Sequence, residues 1–299
     1  MDIPSEIWQL PPIRSMNHRL SLLLTFGLLT GILPVQAQFE ASGDLEQGSE
    51  DHMREELGVN ELTAPAIQKL LLELDSFRPI PMEIVEANNR DATFPNRFQT
   101  AMHFGSLVAD GFVIVIAERR QDIQNIGRSL IRQSRALGVG DHLLNRSKSL
   151  IDLGDSGSWM DLRQELIATQ SDIEDAMIQL RDEEMAHLIS FGGWLRGFQL
   201  ATNATAANYT PARAEGLKKV DVMDYFIDRL ETLNPRLTRT ELVTLLTSNL
   251  KTIRAIAAQA DGRPASPSEV EQMRDLANTM EKAAMSPVDD AGNILNTPQ

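Results

Sequence analysis

Apolar side chains recur at helical spacing along most of this chain, and no segment alternates apolar and polar residues between turns as a half-buried strand would. Leu, Ile, Ala and Met dominate the apolar set and aromatic residues make up only 5%, which is typical of helix–helix packing. The run Val113–Ile116 is the one strand-like stretch, and it continues a helical pattern. We predict an all-α fold, a multi-helix bundle of about seven to nine helices.

Prolines, glycines and capping residues divide the chain into helical stretches. One long stretch is expected to bend around Arg119–Gln121, and another to be interrupted at Gly192-Gly193. The predicted helices cover residues 63–77, 82–88, 95–137, 141–153, 158–201, 219–233, 238–258 and 266–285. Three of them begin with a predicted capping box: Ser158 with Asp161, Thr238 with Glu241, and Ser266 with Glu269.

The formal charge of the chain is −14 and its isoelectric point is about 4.8. Because nucleic-acid binding depends on Lys and Arg neutralising phosphates, a chain this acidic is not expected to bind nucleic acid. The sequence has no cysteine, which excludes disulfides, thiol nucleophiles and cysteine-based zinc sites from it. The compartment must therefore be inferred from the N-terminal segment.

The segment from Met16 to Ala37 has the three parts of a secretory signal peptide. A short basic stretch precedes the apolar run Leu20–Leu33, and Val35 and Ala37 supply the small residues of a cleavage site. The run is shorter than the ~20 residues of a membrane-spanning helix, and no cysteine follows it as a lipid anchor would require. We expect export with cleavage after Ala37; an uncleaved anchor and a buried core helix are the alternatives.

The chain is expected to divide into seven segments. Met1–Ser15 contain acidic residues and prolines that do not fit a signal peptide, so translation is expected to begin at Met16. Residues 38–60 hold seven acidic residues and one arginine, and they cannot bury enough apolar surface to fold. The predicted segments are an upstream extension outside the true protein (1–15), a signal peptide (16–37), a disordered acidic linker (38–60), a main helical bundle (61–204), a candidate boundary (205–216), C-terminal helices packing on the bundle (217–285) and a disordered tail (286–299).

Two stripes of small residues predict a close contact between two helices. Each stripe has its members four residues apart: Ala101, Gly105 and Ala109 in one, and Gly193, Gly197 and Ala201 in the other. If the stripes face each other in antiparallel fashion, Asp110 lies level with residues 192–196 and Arg196 is its natural partner. Because an unpaired buried charge is costly, we predict an ion pair that fixes the helix register; a functional carboxylate is the alternative.

Glu184 and His187 continue the apolar line of their helix, and a Glu-x-x-His pair is half of a carboxylate-bridged di-metal site. No other histidine after the signal peptide has Glu three residues before it. We therefore expect no metal and no cofactor, and we interpret His187 as a core-edge histidine bonded to Glu183 or Glu184. Metal binding by Glu184 and His187 is the alternative. The predicted buried polar cluster consists of His103, Asp110, Glu184, His187 and Arg196.

Charge is unevenly distributed along the chain. Residues 119–148 hold seven basic and two acidic residues, a net of +5, and residues 161–184 hold eight acidic and two basic residues, a net of −6. Arg128, Arg132 and Arg135 share one face of a helix. Either the two stretches are neighbouring helices whose outer faces attract each other, or this basic face binds an anion such as an acidic lipid headgroup or a cell-wall polymer.

No Walker, dinucleotide-binding or Gly-x-Ser-x-Gly pattern is present, so no enzyme class is indicated. The apolar run Phe104–Ala117 has 14 residues and is expected to be too short to span a bilayer. We expect an exported, periplasmic or secreted protein without enzymatic activity. It would be an envelope scaffold or binding module with a protein or anionic envelope partner. A metal-dependent enzyme that uses the Glu-x-x-His pair is the alternative.

Overall fold

A computed structural model describes residues 74–88, 90–259, 262–289 and 291–295, all within one compact unit. These residues form helices joined by short connections, with no strand among them and one isolated bridge between Val288 and Ile294. The expectation of an all-α protein is confirmed, with eight helices of seven residues or more in the described ranges. The predicted upstream extension, signal peptide and acidic linker lie outside the described residues.

The helices are numbered in chain order, after a 3-10 helix at Leu74–Phe77. They are α1 Met82–Ala87, α2 Arg97–Ile116, α3 Arg120–Leu137, α4 Gly140–Ser156, α5 Trp159–Gln179, α6 Glu183–Ala207, α7 Pro211–Gly216, α8 Val220–Thr232, α9 Pro235–Thr238, α10 Glu241–Gln259 and α11 Pro267–Ala284.

Two helices, α2 and α6, form the centre of the molecule. Every residue of α2 from Phe98 to Ile116 is buried, and so is every residue of α6 from Met185 to Thr202. A helix that is apolar on all sides has to be covered on all sides, and α3, α5 and α11 contribute to that cover.

The central helix α2 is longer than its apolar run suggests. By length and composition it could cross a membrane, with a mean hydropathy of 1.3, but all of the apolar window is buried inside the fold. The expectation that the run is too short to span a bilayer is therefore wrong in length, because residues 97–103 extend the helix to 20 residues. Complete burial identifies α2 with the core of this fold.

Glycines allow α2 and α6 to touch through their backbones. A Cβ atom on Gly105 would overlap the carbonyl oxygen of Ile189 and lie 2.5 Å from the nitrogen of Gly193. A Cβ atom on Gly192 would lie 2.6 Å from the Cα of Met102. Both positions lie well inside van der Waals contact. The close contact predicted from the small residues is confirmed, although Gly192 stands outside the predicted stripe.

The two central helices run in the same direction. Arg97, at the start of α2, pairs with Asp182, just before α6, at 2.6 Å. Asp110, which lies thirteen residues after Arg97, pairs with Arg196, which lies fourteen residues after Asp182. The two contacts therefore advance in the same direction along both helices. The expectation of antiparallel packing is therefore wrong. Small residues four apart form a stripe that fits a neighbour of either direction, so their spacing does not determine the direction.

Two residues with positive φ end helices that the sequence predicts to continue. Glu118 (φ 54) separates α2 from α3, and Arg181 (φ 55) separates α5 from α6. The predicted bent helix over residues 95–137 is thus two helices, and α6 passes through Gly192-Gly193 without interruption. The left-handed conformation costs residues other than glycine roughly 1–2 kcal/mol, so Glu and Arg at these turns give no local signal.

One of the three predicted capping boxes is confirmed. The Ser266 hydroxyl accepts from the Glu269 N–H at 3.3 Å, and the Glu269 carboxylate accepts from the Ser266 N–H at 2.7 Å. Ser158 makes no side-chain cap. At α10 the capping hydroxyl is that of Thr240, which accepts from a backbone N–H in the first turn, and the expectation of Thr238 is wrong. Neighbouring hydroxyl residues make the capping position ambiguous from sequence alone.

The C-terminal helices extend the core around α6. α11 packs on α6, α10 packs on α11, and α8 packs on α10. Trp194 of α6 stacks on Phe191 and Phe198 and contacts Phe226 of α8. The end of α6 and the short helix α7 occupy most of residues 205–216, so the boundary predicted there stays a prediction about domain organisation.

Part of the predicted disordered tail has a defined position. Val288 is buried, and the N–H of Ile294 donates to the carboxylate of Glu241 at the start of α10, at 2.9 Å. The expectation of disorder is therefore wrong for residues 286–289 and 291–295. The N–H of Leu242 in the first turn of α10 also donates to the carbonyl of Gly292 at 3.4 Å, which satisfies a backbone group that the helix itself leaves unpaired.

Candidate functional site

A buried ion pair joins the two central helices. Nε of Arg196 donates to Oδ1 of Asp110 at 2.7 Å, and the side chains are 4% and 0% exposed. The other guanidinium nitrogens of Arg196 donate to the Gln199 side chain at 2.5 Å and to the carbonyl of Ile84 at 2.9 Å. Arg196 is the partner that the sequence predicts for Asp110. Each of the three guanidinium nitrogens therefore has an acceptor, which offsets part of the cost of burying the charge.

A second carboxyl group, that of Glu281 on α11, lies beside this pair. The Ser106 hydroxyl donates to Glu281 Oε1 at 2.8 Å, and the Asn88 amide donates to Asp110 Oδ2 at 2.5 Å. Burial raises the pKa of Glu281 above its usual range, although the Arg196 guanidinium opposes this. The network thus holds one guanidinium and two carboxyl groups, and burial disfavours the charged form of Glu281.

His103 lies on the same face of α2 as Ser106 and Asp110 and is fully buried. Neither ring nitrogen makes a well-formed hydrogen bond within the described part of the chain, and the ring packs edge-on against Phe94. Burial lowers the pKa of His103 to about 4, although the backbone of Arg90 favours the protonated form. His103 is therefore neutral at pH 7 and belongs to the packed core.

Glu184 and His187 face other partners, so the five predicted residues do not form one site. Nδ1 of His187 lies 2.9 Å from the Tyr225 hydroxyl, and its Nε2 lies 3.2 Å from the Glu183 carboxylate. Burial lowers the pKa of His187. Glu184 instead accepts from the backbone N–H of Asn234 at 2.5 Å. These contacts agree with a core-edge histidine bonded to Glu183.

The metal-binding alternative finds no ligand set in the part of the chain that the structure describes. No three His, Asp or Glu side chains there are grouped closely enough to hold a metal ion. Glu184 and His187 do not converge on one position where a metal ion could bind. Glu184 accepts from a backbone N–H, while His187 bonds Tyr225 and Glu183.

A polar cleft opens beside Asn88. Its volume is about 540 Å³, and every residue that lines it is polar or charged. The lining residues are Glu86, Asn88, Arg90 and Asp91 from the end of α1 and the segment after it, and Asn125, Arg128, Ser129 and Arg132 from α3. Two arginines of the predicted basic face, Arg128 and Arg132, therefore line one cleft. Arg135 is exposed on α3 and does not line it.

One carboxylate, that of Asp91, lies among the arginines of this cleft. Nη2 of Arg132 donates to Asp91 Oδ1 at 2.5 Å, and the Ser129 hydroxyl donates to the same oxygen at 3.5 Å. The Asp91 side chain is 75% exposed, so these bonds hold it from one side. The other lining carboxylate, Glu86, pairs with Arg119 at the edge of the cleft.

Two arginines of the cleft have hydrogen-bonding capacity that their neighbours do not use. Arg90 pairs with Asp122 at 3.1 Å, yet its Nε and Nη2 are buried and bond to none of the described residues. Arg128 donates to the neutral side chain of Asn125 at 2.6 Å. Guanidinium groups with free donors match an anion that carries several oxygen atoms.

Among the side chains that the structure describes, Arg146 pairs the basic stretch with the acidic one. Its Nε donates to Asp172 at 2.7 Å and its Nη1 to Glu165 at 3.0 Å, which joins α4 to α5. Arg128 and Arg132 bond instead to residues of α3 and of the segment before α2. Attraction between the two charged stretches therefore applies to α4. Anion binding remains the interpretation for the face of α3 that lines the cleft.

Asn88, Asp91 and Glu281 are absent from the predicted cluster. Glu281 follows Ala277 by four residues and precedes Ala284 by three, so its place on the inward stripe of α11 could be inferred from the spacing. Asn88 and Asp91 lie in the irregular segment between α1 and α2. No periodicity indicates which way such side chains face.

Comparison with known proteins identifies no relative of this chain. No protein-family model matches the sequence, no curated protein matches it at a significant level, and no solved structure matches the fold at a significant level.

Proposed function

We propose that this chain is an exported, non-enzymatic binding module that captures a small anionic ligand in the polar cleft between the end of α1 and α3. The observation that carries the proposal is the exposed guanidinium of Arg128, which bonds a neutral side chain and lines one cleft together with Arg90 and Arg132. Arginine is the side chain best suited to bind oxyanions. A volume of about 540 Å³ is within the range of small-molecule sites.

The chemistry of the cleft supports binding rather than catalysis. Arginines stay protonated, and the amides of Asn88 and Asn125 bond without titrating. General acid–base catalysis needs a titrating group within hydrogen-bond reach of the substrate. His103 and His187 do not line the cleft, and its two carboxylates are held by arginines.

The buried ion pair supports the cleft mechanically. Asn88 lines the cleft and donates to Asp110, while the carbonyl of Ile84 in α1 accepts from Arg196. The segment that supplies one wall is thus tied to the centre of the molecule through the Asp110–Arg196 pair. A site whose walls are already in place loses less entropy when a ligand binds.

Thermal unfolding with a panel of anions tests this proposal. Acetate, citrate, sulfate and phosphate are compared at constant ionic strength, and at least one is expected to raise the Tm, because a ligand that binds only the native state stabilises it. The double variant R128Q/R132Q should lose that rise, since it removes two of the guanidinium groups of the cleft.

The matched control is R254Q/R274Q, which removes two partly exposed arginines that pair with acidic residues outside the cleft. It should keep the anion-dependent rise in Tm. The proposal is contradicted if no anion raises the Tm of the unmodified protein, or if both double variants lose the rise equally.

A further inference from the structure

The charges around the cleft set the charge of its ligand. Four arginines and three carboxylates line it or pair with its lining residues: Arg90, Arg119, Arg128 and Arg132, against Glu86, Asp91 and Asp122. Four positive and three negative groups leave a net charge of +1. Asp91 is the most exposed of the carboxylates, and without it the remaining charge is +2. A doubly charged anion neutralises this set.

We infer that the cleft binds a phosphate group in its dianionic form, and that the Asp91 carboxylate occupies the place of that group until the ligand displaces it. This inference rests on the proposed function and specifies its ligand class. Asp91 accepts from Arg132 and Ser129 as an oxygen of a bound phosphate would. The guanidinium of Arg128, which is exposed in the same cleft and bonds the neutral Asn125, offers further donors.

A ligand with a single carboxylate is expected to bind weakly in this cleft, because the carboxylate of Asp91 already occupies the same donors. A tethered group has an effective concentration in the millimolar range, so a free carboxylate of similar affinity does not replace it. A phosphate monoester carries close to twice the charge and three terminal oxygens. It can bond Arg132 in place of Asp91 and also accept from the exposed guanidinium of Arg128.

The size of the cleft indicates that the phosphate is attached to an organic group. A volume of about 540 Å³ is well above that of a single phosphate and is typical of sites for whole small molecules. The amides of Asn88 and Asn125 line the same space and can bond hydroxyl groups. The phosphate could belong to a free small molecule or to a lipid headgroup, and the two sources share the same chemistry.

Calorimetric titration of the full chain tests the inference, with inorganic phosphate, glycerol 3-phosphate and acetate as probes at about pH 8, where phosphate is largely dianionic. The unmodified protein should bind both phosphates and not acetate. Asp91→Asn removes the internal competitor and should raise the affinity for inorganic phosphate about fivefold, as expected from a surface ion pair of about 1 kcal/mol. Arg132→Gln should weaken binding.

The charge-matched control is Glu83→Gln, which removes a carboxylate from the exposed side of α1, outside the cleft. It should leave the affinity for phosphate nearly unchanged, because exposed charges beyond direct contact are screened by salt. Vesicles of phosphatidylcholine with phosphatidic acid distinguish the source of the phosphate. Preference for these vesicles supports a lipid headgroup, and preference for glycerol 3-phosphate supports a free molecule.

An Asp91→Asn variant with unchanged or weaker phosphate binding overturns the displacement, as does an equal gain in Glu83→Gln. Acetate or citrate binding without phosphate binding overturns the ligand class, while the proposed anion-binding function stands. If none of these anions binds and none raises the Tm, the inference and the proposed function fail together.

Discussion

Arg196 lies between two carboxyl groups whose surroundings differ. Asp110 accepts from Arg196 and from Asn88, so its charge is bonded on both oxygens. Glu281 accepts from Ser106, and burial raises its pKa. Removing one member of such a buried pair leaves the other charge uncompensated, which is more harmful than replacing both. The residues beneath the cleft therefore act as one unit.

His103 predicts how stability depends on pH. Burial lowers its pKa from 6.5 to about 4. Between these values the unfolded chain binds a proton that the folded chain does not, so the free energy of unfolding should fall as the pH is lowered through this window. The total loss should be about 3 kcal/mol, from 1.36 kcal/mol per pKa unit. Urea unfolding at a series of pH values checks this.

The control for this prediction is His103→Gln, compared by the slope of stability against pH rather than by absolute stability. Its profile between pH 6.5 and 4 should be flatter. Some dependence remains, because burial also lowers the pKa of His187 and this acts in the same direction. The raised pKa of Glu281 has the opposite effect on stability at pH values above its ordinary pKa of 4.5, because there the folded chain binds more protons than the unfolded chain. A slope as steep as that of the unmodified protein would contradict the assignment to His103.

At the scale of elements, the contact between α2 and α6 predicts a strong effect at one glycine. Gly105→Ala should lower the free energy of unfolding by more than about 3 kcal/mol, because its Cβ would overlap backbone atoms of α6 that cannot rotate away. Urea unfolding measures the change against the matched variant Gly127→Ala on α3.

At Gly127 a Cβ atom would lie 3.7 Å from Ile151, an ordinary contact. Since alanine is favoured over glycine inside helices by about 1 kcal/mol, Gly127→Ala should be neutral or slightly stabilising. Equal losses at the two positions would show that the helices do not approach through Gly105.

Most elements of this fold could be predicted because their signals are local. Helices α8, α10 and α11 begin and end within a few residues of their predicted bounds, since prolines, capping residues and apolar spacing act over one or two turns. The turns at Glu118 and Arg181 could not be predicted, because packing of the whole fold imposes a conformation that these residues do not favour. The direction of α6 relative to α2 is likewise a property of the assembled fold.

The candidate site shows the same division. Asp110 and Arg196 could be paired from the sequence, because both lie next to small residues that mark a contact. Glu184 and His187 share a helix face but lie one turn apart along the helix axis, so they bond different neighbours. The cleft forms only where the segment after α1 folds against α3, and Asp91 in that segment has no periodic neighbours to indicate its position.

At the scale of the whole molecule, the proposed export predicts the first residue of the mature protein. The signal-peptide pattern from Met16 to Ala37 places that residue at Gln38. N-terminal sequencing of protein recovered from the periplasm or the medium checks this. Ala37→Arg should block cleavage, because the position before the cut requires a small residue. A recovered chain that retains the segment in its unmodified form would contradict the prediction.

The parallel helices α2 and α6 are not consecutive in the chain, and this has a consequence for how the protein folds. The Asp110–Arg196 contact joins positions 86 residues apart, with α3, α4 and α5 between them. Folding slows as contacts become more distant in sequence, so closing this long loop is expected to limit the rate. During synthesis at about 5–20 residues per second, α2 waits roughly 4–17 s for its partner. Over that interval the part of its apolar surface that α6 covers in the folded protein is exposed to other unfolded chains, so we expect aggregation to compete with folding.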